Sequence, residues 1–360
     1  MIKYLGSKRT LLSLIASAVQ SVPKAASVLD VFSGTSRVGH ALKGLGFRVI
    51  ANDHNAYAHV LATCYVAADR EDVLHNAKLL VQEFNRLRGK SGYFTETFCK
   101  KAHFFQPQNG RKIDAIRAEI DRKGLEPELK AVMLVSLMEA ADRVDSTCGV
   151  QMAYLKQWAP RSYNDLELRV PDCHPRAIHG KSEAHRLEAA DAITQLEADV
   201  AYIDPPYNQH SYLGNYHVWE TLVRWDSPEV YGIACKRVDC RDRKSSFNSK
   251  RKFQSALEAL IEGVKARAII VSFSNEGYIS RPEIEALLSQ RGRVTTIARP
   301  YKRYVGAQIG VYNPAGVKVG SPSHLTNVEY IYIVDTSARE VSIGRRNQRP
   351  VLTRESVIAV

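Results

Sequence analysis

The 360-residue chain is poor in the features that mark secreted, membrane-embedded or zinc-stabilised proteins. No stretch approaches the ~18 consecutive apolar residues of a membrane helix, and the opening MIKYLGSKRT lacks the apolar run of about 7–15 residues found in a signal peptide. A soluble, cytoplasmic protein is expected. The six cysteines (Cys64, Cys99, Cys148, Cys173, Cys235, Cys240) form no C-x-x-C pair and no array with histidines at zinc spacing, so reduced thiols and no metal are expected. Repeats and low-complexity tracts are missing, and so are two common phosphate-cradling motifs. Gly34 and Gly39 stand too far apart for G-x-G-x-x-G, and His40 follows Gly39 where a Walker loop needs lysine.

Acidic residues are also in deficit: 38 Asp and Glu face 50 Lys and Arg, a net charge of +12. Such an excess favours a polyanionic partner. It is concentrated in KRVDCRDRKSSFNSKRK (236–252), where Lys236, Arg237, Arg241, Arg243, Lys244, Lys250, Arg251 and Lys252 outweigh Asp239 and Asp242. That density suits a loop tracking phosphates, and the bland alternative is a solvated surface segment.

Hydrophobic residues make up 45% of the chain, enough for a packed core, and at roughly 150 residues per domain the length suggests two domains. LLSLIASAV reads as a helix, SVLDVF as a buried strand, VGHALKGL as a helix, Phe47–Ala51 as a strand and AYAHVLATCYVAA as a helix. This alternation predicts parallel strands with right-handed crossovers. From about residue 70 to 165 the pattern is purely helical (VLHNAKLLVQEFNRL, KIDAIRAEIDRK, PELKAVMLVSLMEAADRV, VQMAYLKQW), which predicts an inserted helical unit. Alternation resumes with AHRLEAADAITQL and NYHVWETLVRW as helices around the strand DVAYID, then the helix FQSALEALIEGV and the strand ARAIIVSFS. RPEIEALLSQ follows as a helix, and RVTTIA, AQIGVYN, GVKVG and NVEYIYIVD as strands, with Asn-Pro-Ala-Gly (313–316) turning a hairpin and giving the sheet an antiparallel edge. The expected division is 1–70 with 170–340 as a catalytic unit, 71–169 as the helical insertion, and 341–360 as a basic tail.

Three constellations carry chemistry. In DVFSGTSRVG (30–39) a strand ends in a small-residue turn and opens a helix, so Asp30, Phe32, Ser33, Gly34 and Thr35 are placed to meet a nucleoside cofactor. Asp53, at the end of the next strand and about 20 residues on, can hold ribose hydroxyls, a role the neighbouring turn favours over the alternative of a helix N-cap, which Asp53 or Asn55 could provide. Asp204-Pro205-Pro206-Tyr207 lies at the carboxyl end of a strand, where open α/β sheets place their active sites. The paired prolines stiffen the loop, so that the Asp204 carboxylate and the Pro205 carbonyl can accept both hydrogens of a planar amino group while Tyr207 offers a ring for stacking.

With KYLGSK (3–8), the FSGTS turn and DPPY in this order, the chain resembles Dam-like, alpha-class N6-adenine DNA methyltransferases, nearly over its whole length. The resemblance implies a doubly wound, Rossmann-like α/β sheet that binds S-adenosylmethionine (AdoMet), with the helical insertion as target-recognition domain. It implies that Tyr4 packs on the cofactor, Gly6 permits close approach and Lys8 contacts it. Ser36 stands where the family's cofactor loop has its last glycine, and Glu183 is a candidate for the acid that touches the cofactor adenine. YIDPPYNQHSYLGNYHVWETL resembles the adenine methyltransferases of restriction–modification systems in particular. Double-stranded DNA is then the partner, the target adenine is flipped out of the duplex, a cognate endonuclease accompanies the enzyme, and one adenine pocket per chain suits a monomer or a dimer.

The insertion is also basic (Lys100, Lys101, Arg111, Lys112, Lys130, Arg143, Lys156, Arg161) and aromatic (Tyr93, Phe94, Phe104, Phe105, Tyr154, Trp158), which suits nucleic acid for the domain as a whole, although residue by residue core packing of the aromatics and solvated helix faces for the charges are the better reading. Phe247 is a candidate to fill the vacated base stack, and YKRYVGAQIGVYN (301–313) is a second candidate DNA-side loop. Two other readings stay open: an RNA methyltransferase acting on an exocyclic amine, and a catalytically silent specificity partner.

Overall fold

A computed structural model describes residues 1–302, 311–312, 318–320 and 326–336. The 303–310 part of the candidate loop, the 313–316 turn and the 341–360 tail lie outside the described residues.

The main sheet has seven strands: β1 (Ser27–Asp30), β2 (Arg48–Asn52), β3 (Glu183–His185), β4 (Val200–Ile203), β7 (Ala268–Ser274), β8 (Arg293–Lys302) and β11 (Thr326–Asp335), in the spatial order β3-β2-β1-β4-β7-β11-β8. Two short pairs lie apart from it: β5 (Val230–Tyr231) with β6 (Lys236–Arg237), and β9 (Val311–Tyr312) with β10 (Lys318–Gly320). Strands β3 to β7 in that order run parallel, while β11 pairs antiparallel with both β7 and β8. The α/β class, the doubly wound beginning and the antiparallel edge therefore stand as read from the sequence.

The central strands are apolar on both faces because helices cover both. Successive residues serve opposite layers: Val28, Val49, Val200 and Ile270 pack with Ile15, Val19 and Leu42, whereas Leu29, Ile50, Ala201 and Ile269 pack with Phe253, Leu257 and Leu260. Every residue of β4 and of β7 is buried.

Among the described residues no strand lies between β2 and β3; the helices Arg70–Asn85, Pro107–Arg122 and Pro127–Arg143 occupy that interval. They do not enclose a core of their own. Phe84, Phe98, Ile116, Met133 and Leu137 share one apolar cluster with Tyr57, Leu61 and Tyr65 after β2 and with Trp219 and Leu222 after β4.

Two sequence expectations fail locally. VQMAYLKQW (150–158) forms turns instead of a helix, because its polar groups are engaged elsewhere. The Gln151 amide donates to the Asn215 carbonyl (2.7 Å), its Oε1 accepts from Val218 N (3.0 Å), and Leu155 N donates to Ser146 O (3.0 Å). AHRL begins with the last residues of β3 instead of a helix, since Ala184 and His185 pair with Ala51 and Asn52; the helix starts only at Ala189. Three residues of edge strand are too few for a periodicity signal.

Candidate active site

Asp30, Asn52 and Asp204 stand at or just beyond the carboxyl ends of three adjacent parallel strands, β1, β2 and β4. The chain leaves β1 towards β2 on one side and meets β4 on the other, so a crevice opens there, as at the switch point of any doubly wound sheet. A cavity of about 560 Å³ fills it. Of the residues expected at the site, Tyr4, Gly6, Lys8, Asp30, Phe32, Ser33, Gly34, Thr35, Asp53, Asp204, Pro206, Arg243 and Lys252 line it.

The turn after β1 is built on left-handed backbone. Gly34 has φ +50°, and a Cβ there would lie 3.5 Å from the Tyr4 ring. Ser36, the N-cap of helix Arg37–Gly44, has φ 58° and ψ 22°, a conformation unfavourable for any residue with a Cβ. This is the physical reason a glycine is the easier residue at that position, and Ser36 adopts the glycine geometry nonetheless. Asp53 braces the turn: its Oδ2 accepts the Gly34 amide (3.1 Å) and its Oδ1 the Asn55 amide (2.9 Å). Asp53 lines the cavity but does not cap the next helix, Ala56–Ala62, whose N-cap is Asn55; it holds the backbone of that N-cap residue instead.

The amino-terminal segment closes one side. Tyr4 stacks on Tyr212 (5.2 Å between ring centroids) and on Tyr216 (4.5 Å), both in the segment that follows the DPPY loop. Gly6 (φ +77°) lies so close that a Cβ would come within 3.0 Å of the Tyr212 hydroxyl. The conformation and the close approach together require glycine. Lys8, almost fully buried, places its ammonium 3.0 Å from Asp204 Oδ1 and 2.6 Å from Glu329 Oε1. Burial disfavours that ammonium, but Asp204 and Glu329 outweigh it and raise its pKa well above the ordinary lysine value.

Asp204 carries the converse balance: burial raises its carboxyl to about 6 against the pull of Lys8. Pro205, next in the loop, is buried. Pro206 lines the cavity and Tyr207 does not; the Tyr207 ring is half-buried and braced edge-on by Phe273 at 5.5 Å. Asp30 is 1% exposed, and among the described residues no side chain holds either of its carboxylate oxygens. Burial first, then the charges of Asp204 and Asp53, raise its pKa well above the carboxylate range. Ser33 Oγ and Asn55 Oδ1 are likewise buried without a partner among the described residues.

The basic segment 236–252 divides. Lys244, Lys250, Arg251 and Lys252 are exposed, and Arg241 is exposed with its guanidinium 3.9 Å from the centre of the Tyr231 ring. Lys236 is half-buried in β6. Arg243 turns inward, donating to His54 O (3.3 Å) and Glu220 Oε1 (3.4 Å) at the cavity wall. Arg237 contradicts the phosphate-binding expectation. It is 1% exposed, and its guanidinium donates to both oxygens of Asp226 (2.7 and 2.7 Å) and to Asp239. A charge so buried and paired serves the fold.

Two further expectations are corrected. Phe247 cannot replace an extruded base, because it is 6% exposed and packs edge-on against Phe32 and Phe253 as part of the cavity wall. Glu183 lies on β3 outside the cavity, paired with Arg48 and His185; the acid that lines the cavity beside Leu187 is Glu188. In the insertion, Phe94, Phe104 and Phe105 are core residues, while Tyr93, Tyr154 and Trp158 are half-buried. Sequence reading missed Glu329, Ser272 and Glu188. Glu329 stands inside an apolar strand, NVEYIYIVD, where a lone acid was the available signal.

Residues 4–279 match the family described as D12 class N6 adenine-specific DNA methyltransferase. The chain belongs to that family. Among its curated relatives, it is 31% identical over 327 residues to the type II methyltransferase M.FokI of Planomicrobium okeanokoites, covering 84% of this chain and 49% of that protein. It is 28% identical over 316 residues to the type II methyltransferase M.NlaIII of Neisseria lactamica, covering 84% of this chain and 92% of the relative. The modification methylase StsI of Streptococcus sanguinis is 29% identical over 321 residues, covering 84% of this chain and 48% of that protein. The chain thus spans about half the length of M.FokI and StsI and nearly all of M.NlaIII. The family is AdoMet-dependent, and the cavity suits such a ligand. Its unpartnered acid Asp30, together with Asp53 and Asp204, matches the positive sulfonium and α-ammonium groups, and the bare Gly34 turn lets the backbone approach.

Proposed function

We propose that this chain methylates N6 of adenine at a specific site in double-stranded DNA, as the modification enzyme of a restriction–modification system with a cognate endonuclease. The observation that carries the reading is Asp204, held by Lys8 at the edge of the acid-lined cavity, inside a rigid DPPY loop at the end of β4. Bound AdoMet supplies an electrophilic methyl group. Asp30, Ser33, Gly34, Thr35 and Asp53 hold the cofactor, with Tyr4 and Phe32 as its apolar walls.

The Asp204 carboxylate and the Pro205 carbonyl accept the two hydrogens of the adenine amino group. Both acceptors favour a pyramidal nitrogen, which exposes a lone pair otherwise delocalised into the ring. N6 would gain the methyl group as the bond from that methyl to the cofactor sulfur breaks and a neutral thioether leaves, and the nitrogen would shed one proton towards Asp204. Tyr207, braced by Phe273, stacks on the extruded base. Catalysis rests on orientation and on acceptors preorganised where positive charge develops. The exposed cations Arg241, Lys244, Lys250, Arg251 and Lys252 bind phosphates, and the helical segment 71–169 reads the target sequence.

Incubation with methyl-labelled AdoMet and either unmethylated genomic DNA or total RNA, followed by nucleoside analysis, tests the reading. N6-methyladenine in DNA is expected; label confined to RNA would replace DNA by RNA as the substrate.

A further inference from the structure

Glu329, on β11, is 2% exposed and stands behind the DPPY loop. Its Oε1 accepts from Lys8 Nζ (2.6 Å) and from Ser272 Oγ of β7 (2.8 Å), while the same ammonium lies 3.0 Å from Asp204 Oδ1. One cation therefore serves two carboxylates contributed by two different strands. Charge neutralisation of Lys8 does not require this, because Asp204 alone would balance it. A second buried carboxylate adds desolvation cost without cancelling any remaining positive charge.

Resting on the adenine-methylation reading, we infer that Glu329 is a positioning residue, which with Ser272 holds Lys8 against Asp204 Oδ1 and, by sharing the ammonium, keeps the Asp204 carboxylate a stronger proton acceptor than a one-to-one ion pair would. Among the described residues, the titratable groups that face Asp204 are Lys8 from the amino-terminal segment, Glu329 from β11, Tyr202 from β4, Asp30 from β1, Tyr207 from its own loop and Tyr212 from the short helix Tyr212–Asn215 that follows. Lys8 is the sole cation among them. How its charge is divided therefore governs the basicity of Asp204. The directions agree: Lys8 lowers the Asp204 pKa and Glu329 raises it.

The test is the pH dependence of methylation by the full chain at saturating AdoMet and DNA. Glu329→Gln retains an oxygen acceptor for Lys8 and Ser272 and removes the charge, so Lys8 acts on Asp204 alone. The acid limb of kcat is expected to move down by about one pH unit and kcat at pH 8 to fall about tenfold, with AdoMet affinity within about twofold of wild type. Glu329→Asp restores the charge and returns the limb to its wild-type position. Ser272→Ala, which leaves both charges, is expected to lower kcat a few-fold without moving the limb.

An unmoved limb in Glu329→Gln, with kcat within about twofold, would overturn the inference. So would equal losses in Glu329→Gln and Ser272→Ala with neither limb displaced, which is the signature of packing alone. Should Glu329→Gln not fold by circular dichroism, Ser272→Ala decides: wild-type kcat in that variant overturns the inference. A wild-type chain that methylates RNA but not DNA would refute the adenine-DNA reading separately, and the same comparison would then be made on RNA.

Discussion

At the scale of single residues, the proposed chemistry turns on Asp204. Its carboxyl is raised to about 6, so the acceptor form is present above that pH and is lost as pH falls through it. Methylation measured between pH 5 and 9 (about one pKa unit or more to either side) is therefore expected to fall on the acid side near pH 6. Asp204→Asn keeps the shape and removes the stronger acceptor; kcat should drop by about 10²- to 10³-fold while AdoMet binding by calorimetry persists. Tyr207→Phe should retain most activity and Tyr207→Ala should not, because stacking needs the ring and not the hydroxyl; a Phe variant as inactive as Ala would refute stacking. Ser36 is a different kind of residue: it stores backbone strain with φ 58°. Ser36→Gly should raise the thermal midpoint, since relief of a left-handed conformation is worth about 1 kcal/mol before glycine's entropy is subtracted.

At the scale of elements, the basic stretch 236–252 separates folding from binding. Arg237 is locked between Asp226 and Asp239, so Arg237→Ala removes its buried bonds to both and leaves them to Arg224 alone, which should cost about 2 kcal/mol in denaturant unfolding. Lys250 and Arg251 are exposed at the start of the helix Lys250–Gly263. Changing both to Ala should leave stability within about 0.5 kcal/mol. It should also reduce the slope of log DNA affinity against log salt by about 0.9 per lost phosphate contact. An unchanged slope would remove this helix start from the DNA interface. A charge count along the chain cannot make that distinction, because Lys, Arg and Asp alternate in KRVDCRDR and only the packing of β6 against the helix His217–Arg224 decides which guanidinium is enclosed. The strand-to-helix alternation and the D-P-P-Y turn were legible for the opposite reason. Strand, turn and helix start are local, and their signals of apolar runs, small turn residues and paired prolines act within about ten residues.

At the scale of the whole molecule, the helical segment 71–169 is one mechanical unit with the helices that follow β2 and β4, through the shared core of Phe84, Phe98, Met133, Tyr57 and Trp219. Excision of residues 71–169 should therefore yield an insoluble or molten chain by near-ultraviolet circular dichroism, not an AdoMet-binding catalytic module. A compact, AdoMet-binding remainder would show that this core is dispensable. The amino-terminal segment belongs to the same unit: Tyr4 stacks between residues beyond the DPPY loop, and Lys8 reaches both Asp204 and Glu329.

The order of strands and helices, the glycine turn, the acid after β2 and the D-P-P-Y loop are written in the sequence, because each depends on neighbours in the chain. The tertiary structure alone decided that Glu329 and Ser272 stand behind Asp204, that Glu188 and not Glu183 reaches the cavity, that Phe247 is wall and Arg237 is core. Those assignments depend on which strands the crossovers bring side by side, and residues 8, 204, 272 and 329 meet only once β4, β7 and β11 share a sheet.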